Sequence, residues 1–123
     1  MSKQQNIFNW AAEEGYKEVV ALLLEDGRVD PTVIHNYAIR VAAYYGHKEV
    51  VALLLKDSRV DPTAGDNSAI RCAAGNGYKE VVALLLEDSR VDPTAKSNLA
   101  IRWAVRYGHK EVVAMLEKAG CIL

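Results

Sequence analysis

One apolar pattern recurs along the chain. Val-Val-Ala-Leu-Leu-Leu stands at residues 19–24, 50–55 and 81–86, and Val-Val-Ala-Met-Leu at 112–116. In the third of these, Val81, Val82, Leu84, Leu85 and Leu86 cover a wide arc of a helix running from about Lys79 to Asp88. An arc that wide implies neighbours on more than one side. Ahead of it lies a shorter run, Ala69-Ile70-Arg71-Cys72-Ala73-Ala74, whose alanines favour helix and permit close packing. Asn67 is placed to cap that helix, because its side-chain oxygen can satisfy free amides of a first turn. Gly77 is placed to end it, as glycine commonly does at C′. Pro93 cannot continue a helix and pushes Asp92 toward extended geometry. The unit reads as helix, tight turn, helix, short extended connection.

The unit repeats. Gly15, Gly46, Gly77 and Gly108 fall 31 residues apart, as do Asp30-Pro31, Asp61-Pro62 and Asp92-Pro93. A period between 20 and 50 residues marks a stacked-repeat architecture. The expected fold is all-α: an α-solenoid of four stacked helix-turn-helix units, at approximately 1–32, 33–63, 64–94 and 95–123, forming a single domain over 1–123. The end units look like caps. Leu24, Leu55 and Leu86 give way to Glu117, and Arg40, Arg71 and Arg102 give way to Asn9. Terminal repeats need polar outer faces for solubility.

The first unit has no preceding Asp-Pro loop and alone lacks the arginine. The last has nothing after it and lacks the Asp-Pro. This suggests contacts between units, from Asp30 to Arg40, Asp61 to Arg71 and Asp92 to Arg102, since arginine suits bidentate contact with a carboxylate. The alternative is that the arginine covers the helix surface while the aspartate bonds turn backbone.

Composition narrows the function. Fifteen basic and sixteen acidic residues nearly cancel, which leaves no electrostatic footprint for nucleic acid or anionic lipid. No apolar run reaches the roughly 20 residues of a membrane span. The first ten residues, MSKQQNIFNW, lack an apolar signal core. Cys72 and Cys121 make no disulfide framework. A reducing, cytoplasmic setting fits.

Ala42-Ala43-Tyr44-Tyr45-Gly46-His47-Lys48-Glu49-Val50-Val51-Ala52-Leu53-Leu54-Leu55 resembles the ankyrin repeat, and the resemblance covers essentially the whole chain in four units. It departs from the family in two places. The usual Thr-Pro-Leu-His opening is replaced by Tyr37-Ala38-Ile39-Arg40 and its equivalents. The period falls two residues short, in the connecting loop, so the family's β-turn fingers are expected to be shortened. The resemblance implies a curved α-solenoid that binds partner proteins through a concave face lined by loops and first helices, and it implies that catalysis is rare.

Comparison between units separates scaffold from surface. Units 46–76 and 77–107 agree at 22 of 31 positions, and their differences cluster. Two places before each glycine stand Glu13, Tyr44, Gly75 and Arg106; one place before, Glu14, Tyr45, Asn76 and Tyr107. The first-helix starts read Tyr37, Ser68 and Leu99, and one helical position reads Trp10, Val41, Cys72 and Trp103. Ahead of those helices stand Val33-Ile34-His35, Ala64-Gly65-Asp66 and Ala95-Lys96-Ser97. Tyrosine with His, Trp, Asn, Ser and Arg is the composition of a paratope, rigid aromatics beside adaptable polar groups. The candidate partner-binding residues are His35, Tyr37, Tyr44, Tyr45, Asp66, Ser68, Asn76, Lys96, Leu99, Trp103, Arg106 and Tyr107. Solvated drift is the competing reading, and Trp103 and Val41 could equally be core.

Converging chemistry is missing from the sequence. His47 and His109 occupy one repeat position two units apart, about 20 Å at 8–10 Å per helix layer. His35 has no Cys or acid at metal-ligand spacing. Cys72 reads as packed, and Cys121, near the terminus, as open to oxidants or labels. Gly75-Asn76-Gly77 reads as a helix end. Glu18, Glu49, Glu80 and Glu111 open second helices, where they favour the dipole. The expectation is a non-catalytic protein-interaction module with no cofactor or metal, no nucleic-acid or membrane partner, and a monomer or weak homodimer. A structural spacer or designed repeat scaffold is the alternative.

Overall fold

The computed structural model covers residues 1–123 and contains eight helices and no strand. They are α1 (Lys3–Glu14), α2 (Lys17–Asp26), α3 (Val33–Tyr44), α4 (Lys48–Leu55), α5 (Ala64–Gly75), α6 (Lys79–Leu86), α7 (Ala95–Arg106) and α8 (Lys110–Lys118). The first helices α1, α3, α5 and α7 pack in sequence as one layer, and α2, α4, α6 and α8 form a second layer against them. The first layer is the more closely packed. Its contact residues are alanines with no exposed surface, among them Ala11, Ala12, Ala42, Ala43, Ala73 and Ala74. Small side chains let helix backbones approach. One larger side chain from each first helix, Phe8, Ile39, Ile70 or Ile101, is fully buried, as are Leu54, Leu85 and Leu116 of the second helices. Each such burial stabilises by about 1.5–3 kcal/mol.

The turn between the helices of a unit follows from its glycine. In the third unit Gly77 takes φ 79°, Tyr78 N–H donates to the Ala73 carbonyl at 2.9 Å, and Gly77 N–H donates to Ala74 at 3.2 Å. This left-handed closure satisfies the last carbonyls of α5.

The connection between units differs from the expected extended loop. Three consecutive residues near the start of α3, α5 and α7 are left-handed: Ile34, His35 and Asn36; Gly65, Asp66 and Asn67; Lys96, Ser97 and Asn98. Each triplet is one turn of the wrong hand, after which the right-handed helix begins at Tyr37, Ser68 or Leu99. This short turn stands where the longer period of the family would place a finger.

The left-handed turn overturns the Asp–Arg pairing. Arg40 donates to the carbonyls of His35 (2.9 Å) and Ile34 (2.8 Å), and Arg71 to those of Asp66 (3.0 Å) and Gly65 (2.9 Å). Arg102 does the same to Ser97 and Lys96, at 3.1 and 3.4 Å. These carbonyls are exposed by the hand reversal, and the arginine satisfies them. The Asp61 carboxylate instead accepts from Thr63 N–H at 2.9 Å and Thr63 Oγ1 at 2.6 Å, as Asp30 does from Thr32 and Asp92 from Thr94. Those hydrogen bonds, the threonine hydroxyl's foremost, hold all three carboxyls below the usual range. The first unit lacks the arginine because it lacks the turn: α1 opens on Ser2, whose hydroxyl accepts from Gln5 N–H at 3.0 Å.

Asn67 does not cap α5 either. Its Oδ1 accepts the N–H of Asp92 in the next connection at 2.8 Å, and Asn36 accepts Asp61 N–H at 2.9 Å. Gln5 reproduces this bond in the first unit, accepting Asp30 N–H at 2.7 Å and donating to its carbonyl at 2.9 Å. A second bond between units comes from Arg90, which grips Asp88 with two nitrogens (3.0 and 2.8 Å) and donates to the Val60 carbonyl at 3.1 Å.

The last unit departs from the others at two positions. Glu117 is exposed where Leu24, Leu55 and Leu86 are half-buried, and Val105, 45% exposed, stands where Ala12, Ala43 and Ala74 are sealed by the following helix. Cys121 is only 2% exposed and its Sγ lies 3.6 Å from the Pro93 carbonyl oxygen. The expectation of an open, reactive thiol is therefore corrected: burial seals it and raises its pKa.

Candidate functional site

The variable residues fall into two groups, one at each end of the first helices. At the connection end, His35, Asp66 and Lys96 sit in the left-handed turns and are exposed. Lys96 Nζ lies 3.4 Å from the Asp66 carboxylate. Ser68 and Leu99 are half-buried, and Ser68 Oγ lies 3.8 Å from Cys72 Sγ. Tyr37 is half-buried beneath the Arg40 guanidinium, which lies 5.9 Å from its ring centre. The Tyr37 hydroxyl donates to Glu13 Oε1 at 3.2 Å, and burial, followed by that bond, raises its pKa.

At the glycine end the side chains converge. A groove of about 460 Å³ is lined by Tyr44, Cys72, Gly75, Asn76, Trp103, Tyr107 and His109. Asn76 Nδ2 donates to the Tyr44 carbonyl at 3.0 Å, tying one unit to the next beneath the groove. Trp103 is half-buried because its ring lies over Gly75, 3.1 Å from where a Cβ would stand. Any larger residue at position 75 would meet that ring. The Arg106 guanidinium lies 5.9 Å from the Tyr107 ring centre, an arrangement suited to cation–π attraction. Tyr44, Tyr45 and Tyr107 are 49%, 49% and 60% exposed.

A second groove, lined by Glu13, Glu14, Tyr45 and His47, adjoins the first. Tyr44 and Tyr45 meet edge to face at 5.0 Å and form the ridge between them. His47 is held in place: its Nε2 lies 2.8 Å from the Glu13 carbonyl oxygen. His109 makes the equivalent bond to the Gly75 carbonyl at 3.1 Å. The two histidines thus serve different junctions between units.

Of the residues singled out from sequence, Tyr44, Tyr45, Asn76, Trp103 and Tyr107 line grooves, and Arg106 flanks one. Asp66, Ser68, Lys96, Leu99 and His35 line none of these. Six groove residues lie outside the candidate set: Glu13, Glu14, Cys72 and Gly75, which stand at variable positions, and His47 and His109. Gly75 carried a usable signal, since the other units place Glu13, Tyr44 and Arg106 there, and its lack of a side chain admits Trp103. Val41 is 9% exposed and belongs to the core. No three of the His, Cys, Asp and Glu side chains gather as a metal site, and no helix is long and apolar enough to cross a membrane.

Comparison with known proteins agrees with the architecture. Residues 1–66 and 39–122 match the family model for ankyrin repeats in three copies. No curated protein matches the chain. Ankyrin repeats are generally protein–protein interaction modules and typically non-enzymatic scaffolds. With the family model matched over almost its entire length and the helix pairs stacked as described, the chain belongs to the ankyrin repeat family.

Proposed function

We propose that this chain is a non-catalytic recognition module that binds a protein partner across the two grooves at the glycine end of its first helices, on the concave face of the stack. One observation carries the reading. The apolar first-helix residues that repeat unchanged, such as Ala38, Ile39 and Ala42 and their equivalents, are buried in the stack, whereas the tyrosines that differ, Tyr44, Tyr45 and Tyr107, stand about half exposed or more at the glycine end. Rigid, pre-positioned aromatics lose little entropy on binding. They are also the residue types that dominate interface energetics. His35, Asp66, Ser68, Lys96 and Leu99, at the opposite end of the first helices, would contribute only to a partner large enough to span both ends.

The test is capture of partners by two immobilised proteins, the native chain and a Tyr44→Ser, Tyr45→Ser, Tyr107→Ser variant, with matched helical circular dichroism and thermal midpoint. Tyr37 is kept, because its hydroxyl bonds Glu13. A protein retained by the native chain alone supports the reading. Equal retention by both, or none by either, sinks it in favour of a structural spacer or a binding surface elsewhere.

A further inference from the structure

The row that faces the grooves is electrically polarised. The pair preceding each glycine runs Glu13-Glu14, Tyr44-Tyr45, Gly75-Asn76, Arg106-Tyr107 from the first unit to the last. The pair following the turn residue does not offset this: Lys17-Glu18, Lys48-Glu49, Lys79-Glu80 and Lys110-Glu111 are neutral in every unit. None of Glu13, Glu14 and Arg106 takes part in an ion pair. Two carboxylates without a cationic partner therefore line the second groove, Glu13 accepting only the Tyr37 hydroxyl, and a guanidinium without an anionic partner flanks the first. Between them lie the Tyr44–Tyr45 ridge, the Trp103 ring packed over Gly75, and the Tyr107 ring.

Resting on the reading above, we infer that the occupant is a linear segment of a partner protein with matching polarity. It carries Lys or Arg over Glu13 and Glu14, large apolar or aromatic side chains over the grooves, and Asp or Glu beside Arg106. Complementary charge fixes register and rejects wrong partners, because like charges brought together at an interface are costly. Length follows from geometry. Three helix spacings of about 8–10 Å separate the first unit from the fourth, and an extended chain rises about 3.3 Å per residue. About eight residues therefore separate the basic and acidic ends of the segment.

The test is selection of a phage-displayed library of random dodecapeptides on three proteins: the native chain, Glu14→Arg, and the triple tyrosine-to-serine variant. Glu14 is exposed at the C-terminal end of α1, where arginine favours the helix dipole, so the variant should fold; circular dichroism checks this. The native chain should enrich peptides with basic and acidic ends flanking an apolar middle. Glu14→Arg should deplete basic ends and enrich peptides acidic at both. A synthetic native-selected peptide should lose about tenfold in affinity for Glu14→Arg, a loss typical of one reversed interfacial charge. It should recover when its basic residues become Asp. Enriched peptides without segregated charge, or with the same charges on both proteins, overturn the polarity while tyrosine dependence leaves the groove reading standing. Peptides enriched equally by the tyrosine variant, or none enriched by the native chain, overturn both.

Discussion

The His109 imidazole occupies the place where a side chain on Gly77 would stand: its Nδ1 lies 2.5 Å from an ideal Cβ position there. Gly77 also holds φ 79°, a conformation costly for residues with a Cβ. Two requirements thus meet at one glycine. At Gly108 only the second applies, for its φ is 76° and nothing lies within 4 Å of a Cβ. Gly77→Ala should therefore destabilise by about 2–4 kcal/mol, combining backbone strain with displacement of a packed ring. Gly108→Ala should cost about 1 kcal/mol. Urea denaturation of the two variants checks the difference, and equal losses would show that the ring shifts without cost.

Asn67 should matter more for the bond it sends to the next unit than for its own helix. Asn67→Ala removes the acceptor of a part-buried N–H on Asp92 and places alanine in the left-handed region. The expected loss is about 1–3 kcal/mol. Asn67→Asp keeps both an acceptor and tolerance of left-handed geometry, and should recover most of it. At Asn98 the equivalent bond, to Ile122 N–H, is 3.4 Å long and exposed, so Asn98→Ala should cost less. Similar losses at both sites would mean that backbone conformation, not the bond, sets the effect.

These two sites also mark where the sequence was readable. The period, the eight helices and the wide apolar arc of each second helix follow from patterning, because they depend on spacing within a unit. The left-handed turn does not follow locally. Ile34 and Lys96 argue against it, since side chains with a Cβ, and β-branched ones above all, avoid that region. Only Gly65-Asp66-Asn67 looks tolerant of it, and reading that unit as the template for the others would have exposed the turn. The arginines serve the connection through its carbonyls, not through its carboxylates. The grooves were half legible: their rims are variable tyrosines, whereas their floor depends on an absence, the missing side chain of Gly75.

Acid should loosen the connections between units together. Asp30, Asp61 and Asp92 are depressed chiefly by their threonine partners, and Asp57 and Asp88 by Arg59 and Arg90. A carboxyl whose folded pKa lies below its unfolded value contributes stability that is present above the unfolded value and lost as pH falls through the folded one. The thermal midpoint should be flat near neutrality and fall as pH drops below about 4. Each group is largely solvated, so the effect is a sum of small contributions. A Thr32→Val, Thr63→Val, Thr94→Val variant should show a shallower fall, because the largest depressing hydrogen bond is gone. An unchanged slope would assign the acid sensitivity to other carboxyls.

The two thiols should separate cleanly under alkylation. Cys121 is buried with its pKa raised, and alkylation requires an accessible thiolate. Its modification by iodoacetamide at neutral pH should proceed only through opening of the last unit, and should accelerate in denaturant. Cys72 is half-exposed and lines the larger groove beside Trp103 and Tyr107. It should react first, with intact-mass spectrometry showing one adduct before a second. A peptide seated in that groove should slow Cys72 and leave Cys121 unchanged. Protection of neither thiol by a bound peptide would place the peptide outside the groove, and rapid labelling of Cys121 in the folded chain would show that the terminal turn opens readily.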